Sequence, residues 1–251
     1  MWHKKIPTIF ILSLVLLQSA VLLFHDQEIR QVKKQVYHVT LLRDAFVKIE
    51  ASIELGYPAP VIFSGSGTLI GKNGNKNYAL TANHLCHPYV PEFATNQILD
   101  KVIFVTDFSG EIYFGNVVFN SLNNDLCLIE FEGIVDVEPA AIAPEPALIN
   151  EKVYTFAAPA GFFAPHVIPL FEGYYAGDIV ESQGEVSSTY TVAAVGGSSG
   201  AAVLNANGEV VGVIHSSLME FHHITLAATH GNVVTLLEEY STLSGVIFLL
   251  P

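Results

Sequence analysis

An all-β body, barrel or sandwich, closed by one helix is the class that this 251-residue sequence predicts. Three observations carry it. From about Ala45 onward, short runs rich in Val, Ile, Phe and Thr at 46–53, 61–70, 101–106, 126–131, 153–156 and 209–214 are separated by clusters of Gly, Pro and Asn. Within that body only NVVTLLEEY, at 232–240, carries a strong helical pattern. Finally, 51% of the residues are hydrophobic and 14% charged, which supplies a sizeable core and excludes a disordered or low-complexity chain.

The elements before the body are of another kind. Residues 6–24 carry no charge, follow Lys4 and Lys5, and are about as long as a helix needs to be to span a bilayer core. The rival reading is a signal peptide cut after Ala20, but it would put Gln18 three residues before the cut, where a small residue belongs. An uncleaved anchor over residues 1–25 is therefore expected, and with it a single-pass membrane protein whose body is exported. Arg30, Lys33 and Lys34 balance Lys4 and Lys5, so charge does not fix which side the body lies on. Next, Ile29, Val32, Val36, Val39 and Phe46 recur mostly at three- and four-residue steps, predicting a helical stalk over 26–44 that packs on the body. A short self-associating coil is the alternative.

Charge narrows the partners. Residues 1–48 hold seven Lys and Arg against three Asp and Glu, whereas residues 49–251 hold four Lys, no Arg and 21 Asp and Glu. Nucleic-acid binding depends on clustered cations that neutralise phosphates, so a body this acidic excludes DNA and RNA as partners. Cys86 and Cys127 are too few for a disulfide scaffold or a four-cysteine zinc site. They read as buried small hydrophobes, with a bridge left open if the body is exported. His84, Cys86 and His87, even with His222 and His223 added, match no common zinc spacing, and no metal is expected.

Three segments carry the chemistry. In GSGTLIGKNGNKNYALTANHLC, residues 65–86, one strand runs into a second and then a tight turn that presents His84. NNDLCLIEF, residues 123–131, puts Asp125 at the mouth of a buried strand. GGSSGAAVLNANGEVVGVIHSS, residues 196–217, sets Ser199 on a glycine-rich loop between strands. A serine hydroxyl is a poor nucleophile at neutral pH; it needs a base within hydrogen-bond reach, and that base needs a third group to fix its tautomer. His84 fits the base, Asp125 the orienting acid and Ser199 the nucleophile, while the N–H groups of Gly197 and Ser199 fit an oxyanion hole.

In this order the segments resemble the trypsin-like serine proteases of the chymotrypsin fold, most closely the HtrA-type branch and small phage and viral enzymes. TANHLC is similar to the family's TAxH segment, DLCLIEF to DxAxL and GSSGAAV to GxSGxPV. NEKVYTFAAPAG at 150–161, GDIVES at 177–182 and LAATHGNVVTLLEEY at 226–240 resemble further strands and the terminal helix, so the likeness spans about 45–242. It implies two packed six-stranded antiparallel β-barrels with a C-terminal helix in a protease domain over 45–251. It also implies a serine endopeptidase that acts on polypeptides through an acyl-enzyme and needs no cofactor. Ser198 and Asp107 are the rival nucleophile and acid. Ser198 is followed by another serine instead of the glycine that the loop calls for, and Asp107 sits in VTDFSG, which reads as a turn.

The departures from the pattern are Ala201 and Ala202 where Gly and Pro are usual, Ala157 where Gly is frequent, and Ser198 where an aspartate would pair with a new N-terminus. Small residues are kept, so the backbone path should survive, and trypsin-style zymogen activation is not expected. Nor are the peptide-binding PDZ modules that usually follow in HtrA-type proteins. The resemblance places the substrate pocket at Ala193 and Ala194, with walls from His215, Ser216 and Ser217. Two other readings of the body are a catalytically weak protease-like domain that binds peptides or partners at a membrane, and a non-peptide esterase.

Overall fold

The computed structural model describes Gln18, residues 21–30, Lys33 and residues 42–250 except 57, 91–97, 134, 183 and 219. Residues 21–30 are helical, and of the stalk expected over 26–44, residues 31, 32 and 34–41 lie outside the described set. Most of the apolar run at 6–24 lies outside it as well. Among the described residues no helix is long and apolar enough to cross a membrane.

Among the described residues twelve strands follow, in two closed antiparallel barrels. The first is built from β1 (Phe46–Glu54), β2 (Val61–Asn73), β3 (Lys76–Ala82), β4 (Asp100–Asp107), β5 (Ile112–Ser121) and β6 (Leu126–Glu132) in the order β1-β2-β3-β6-β5-β4. The second uses β7 (Lys152–Phe156), β8 (Leu170–Val180), β9 (Val186–Tyr190), β10 (Ala202–Leu204), β11 (Val210–Leu218) and β12 (Phe221–Thr229) in the order β10-β11-β12-β9-β8-β7. A one-turn helix, α1 (Asn83–Cys86), follows β3, and α2 (His230–Ser244) follows β12. Each predicted strand is present. The helix predicted at 232–240 starts two residues earlier, where the Thr229 side chain accepts the Asn232 N–H, and stops at Gly245, whose φ of 73° only glycine adopts readily.

Alternation explains the barrels. β1 reads FVKIEASIE, with Phe46, Val47, Ile49, Ala51 and Ile53 buried and Lys48, Glu50 and Ser52 less so, and it pairs with β2 on one side and β4 on the other. Ile49, Leu69, Leu80, Leu126, Leu128, Ile129 and Phe131 belong to the buried core on the two faces of the first barrel's sheet, each contributing roughly 2 kcal/mol by its burial. Val153, Tyr190, Val192, Val203, Val211, Ile214 and Ala227 fill the second.

The barrels are not independent. α2 leaves the second and packs on the first, where Tyr240 and the following Phe248 meet Tyr78 of β3 at ring separations of 6.0 and 5.7 Å and Tyr240 meets Phe119 of β5 at 5.9 Å. A cleft between two barrels joined in this way is lined by loops from both.

One expectation is corrected. Cys86 and Cys127 form a disulfide instead of standing as separate buried thiols. The register of β3 on β6 sets Ala82 opposite Leu126 and Thr81 opposite Cys127, so α1, turning back directly after Ala82, carries Cys86 over β6 to a Cα–Cα distance of 6.5 Å.

Candidate active site

The site begins where β3 stops. Past Ala82 the chain turns into α1, and the N–H groups at its start find their acceptors on Asp125: Asn83 N–H donates to the Asp125 carbonyl at 3.0 Å and His84 N–H to Oδ1 at 2.8 Å. The second carboxylate oxygen lies 2.7 Å from His84 Nδ1. Because a carboxylate only accepts, Nδ1 carries a proton, and in the neutral ring the lone pair is left on Nε2. Asp125 holds a left-handed φ of 48°, a conformation that aspartate tolerates better than most residues, and this places both its carbonyl and its side chain on α1. The imidazole of His84 remains 42% exposed, so a substrate can reach it.

Ser199 comes from the other barrel, on the loop from residue 195 to residue 201 that enters β10. Its carbonyl accepts the N–H of Ser66 in β2 at 2.8 Å, and its hydroxyl donates to the His215 carbonyl at 3.4 Å, a long bond. Among the described residues no hydrogen bond joins that hydroxyl to His84. The rival Ser198 is 1% exposed, and its Oγ accepts the Val195 N–H at 3.3 Å. Asp107 is likewise spent in a turn, accepting from Ser109, Tyr113 and the Glu111 N–H.

Two main-chain hydrogen bonds fix peptide orientation in the loop. The Gly196 carbonyl accepts Ala160 N–H at 2.6 Å and the Ser198 carbonyl accepts Ala201 N–H at 3.1 Å. In a trans peptide the next N–H points the opposite way, so the N–H groups of Gly197 and Ser199 face away from these anchors. Among the described residues neither of the two has a protein acceptor. Gly197 has φ 93°, and a Cβ there would lie 2.4 Å from the Ala158 carbonyl; Gly200 has φ 84°, and a Cβ would lie 2.0 Å from the Ser66 carbonyl. Ala157, Ala201 and Ala202 are all buried, so the small residues of the sequence do preserve the path.

The predicted pocket residues divide. Ala193 is half-buried, Ala194 is buried with its N–H on the His222 carbonyl, Ser216 is exposed and Ser217 half-buried. His215 is placed apart from them. The β11–β12 register shifts between Ile214 and Ser216, a bulge at His215, and the ring joins a cleft of about 180 Å³ whose lining includes Asn124, Asp125, Glu181 and Ser187. Ser187 donates its hydroxyl proton to Glu181 and accepts from His215 Nε2 at 3.0 Å. Burial holds the His215 pKa below the usual imidazole value, against the pull of Asp125 and Glu181. The sequence does not single out Glu181 or Ser187; GDIVES reads only as a strand.

Two barrels that present a histidine–aspartate pair and a serine on a loop with free N–H groups define the chymotrypsin-like hydrolase architecture. The sequence matches the model of the trypsin-like peptidase domain over residues 65–213, more than half of the chain, and the chain belongs to that family. It is a serine endopeptidase by class. The fold is similar to the active form of the Rv3671c protease from M. tuberculosis (TM-score 0.61, 17% identity, 81% of this chain and 83% of that one). It is also similar to an inactive-form mutant of Rv3671c from M. tuberculosis H37Rv (TM-score 0.60, 16% identity, 84% and 93%). The serine endoprotease from Yersinia pestis gives TM-score 0.61, 18% identity, and coverage of 85% of this chain and 68% of that one. At such identities the likeness is one of fold. A comparison with curated proteins finds no match.

Proposed function

We propose that the chain hydrolyses peptide bonds through a triad of Ser199, His84 and Asp125 by way of an acyl-enzyme. One observation carries this reading: Asp125 accepts both the backbone N–H and the ring N–H of His84, which orients the part-exposed imidazole and leaves Nε2 available as the base. Ser199 exchanges its long bond to the His215 carbonyl for His84 when a substrate fills the cleft, as catalytic hydrogen bonds often tighten only in the Michaelis complex. The attacked carbonyl oxygen then takes the N–H groups of Gly197 and Ser199. Asp125 keeps its charge and stabilises the imidazolium, which passes its proton to the leaving amine. Water repeats the sequence on the acyl-enzyme. A fluorophosphonate probe tests the reading directly: it should label the wild-type chain and leave Ser199→Ala unlabelled, and an unlabelled wild type would overturn it.

The residue accepted before the cut follows from Ala193. No carboxylate stands at that position, so a buried lysine or arginine would be left unpaired at a cost of several kcal/mol. The His215 ring is engaged with Ser187 beside Asp125, which argues against its reaching a glutamate or glutamine side chain near Ala193. Small and medium aliphatic residues are therefore expected before the cut. A peptide library read by mass spectrometry checks this, and dominant cleavage after Arg or Lys, or after Glu or Gln, would reject it.

We further propose that residues 6–24 anchor the protein and that the body is exported, with the stalk free to self-associate. The uncharged run and its poor cleavage site support the anchor. The Cys86–Cys127 disulfide supports an oxidising compartment. Full-length protein should sediment with membranes and resist carbonate extraction. Recovery of a soluble chain starting at Val21 would show a cleaved signal peptide instead.

A further inference from the structure

Ser66 is a serine between two glycines in β2, fully buried, and its hydroxyl belongs to neither its own strand nor its own barrel. It donates to the Gly197 carbonyl at 2.8 Å and accepts the Ala158 N–H at 3.0 Å. Its main chain is engaged in the same direction: the N–H donates to the Ser199 carbonyl at 2.8 Å, and the carbonyl accepts Thr81 Oγ1 at 2.7 Å, three residues before His84. One residue of the first barrel thus holds both ends of the Gly197–Ser199 turn, and through Ala158 it holds the turn against which Gly197 packs.

We infer that Ser66 is a positioning residue for the oxyanion-binding N–H groups, an inference that rests on the peptidase reading above. The peptides on either side are pinned by Ala160 N–H on the Gly196 carbonyl and Ala201 N–H on the Ser198 carbonyl, both of them donors of the second barrel. The peptide between them, Gly197 to Ser198, is held at both ends: its N–H donates to the Val195 carbonyl at 2.9 Å within the loop, and its carbonyl takes the Ser66 hydroxyl, its one tie to the first barrel among the described residues. Glycine has no Cβ to resist rotation of that peptide, so the Ser66 hydroxyl adds to the Val195 bond the restraint that fixes the carbonyl end against the first barrel. Removing it strands a buried carbonyl and a buried N–H at once, and these can regain partners only by moving. A rotated Gly197–Ser198 peptide redirects the neighbouring N–H groups away from the reacting oxygen. The clamp also ties the strand that leads to His84 to the loop that bears Ser199, so the two halves of the reaction share one rigid link.

Ser66→Ala tests this. Because the donors are misaimed but not deleted, kcat should fall by about 10- to 100-fold, less than loss of a donor outright, with KM within threefold of wild type. A peptide aldehyde, whose adduct oxygen needs the same N–H groups, should lose affinity in step with kcat. Ser66→Cys, close in volume and a weak donor, should fall between Ser66→Ala and wild type, and it is read in place of Ser66→Ala if that variant does not fold. Independently of turnover, hydrogen exchange at Ala158 and across residues 195–201 should accelerate at least tenfold. Wild-type kcat and aldehyde affinity, or unchanged exchange, would overturn the clamp. A wild-type chain inert to substrate and fluorophosphonate would count against the peptidase reading only, and exchange would then decide the clamp by itself.

Discussion

Replacing Ser199 by alanine is expected to reduce peptide hydrolysis by on the order of 10³- to 10⁶-fold while the thermal midpoint stays within a few degrees of wild type. The chemistry loses its nucleophile, but the loop loses very little. Its hydroxyl makes one long bond to the His215 carbonyl, and the interactions that shape the loop are main-chain ones that alanine retains. His84→Ala should be of similar size, and the double variant should be little worse than either single one, because the three groups act as a unit. Ser198→Ala is the control. It removes a buried acceptor for the Val195 N–H, costing about 1 kcal/mol of stability, but should leave turnover within a few-fold. Turnover that survives Ser199→Ala and is lost in Ser198→Ala would move the nucleophile by one residue.

The second large effect is on stability. Cys86 and Cys127, 41 residues apart, close a loop whose entropy in the unfolded chain the disulfide restricts, worth about 3–4 kcal/mol. Set against a total stability of roughly 5–15 kcal/mol, that is a large share. The Cys86→Ala, Cys127→Ala double variant should melt on the order of 10 °C lower, and reduced wild type should melt with it. Both cysteines are fully buried, so reduction under native conditions should be slow until the first barrel opens. Equal midpoints for the oxidised and reduced chains in urea or heat would refute the argument.

What the sequence made legible depends on how local the signal is. β1, β2, β4, β6, β7 and β11 announce themselves because one face of each is continuously apolar. β5 and β8 do not: Ile112 and Phe114 in one, and Leu170, Tyr174 and Val180 in the other, point to solvent, and barrel closure decides those strands. β9 hides behind two buried serines, Ser187 and Ser188, whose acceptors Glu181 and Asp178 lie outside the strand. At the site, His84, Asp125 and Ser199 each sit in a motif that local chemistry requires. The disulfide depended on the register of β3 on β6, and Ser66 on partners 131 and 92 residues away, which no local pattern encodes. The bulge at His215 has no glycine to mark it.

Tyr78, in the third strand of the first barrel, is covered by Tyr240 and Phe248, which the ribosome adds more than 160 residues later. Leu249 then offers its carbonyl to Ile142 N–H in the segment between the barrels. The half that bears His84 and Asp125 therefore emerges with an aromatic side chain still bare, and its interior is sealed only by the end of the domain. An unfinished chain therefore carries His84 and Asp125 before the aromatic residues that cover their barrel exist. In the order of synthesis, the cover over the first barrel is among the last parts of the described chain to become available.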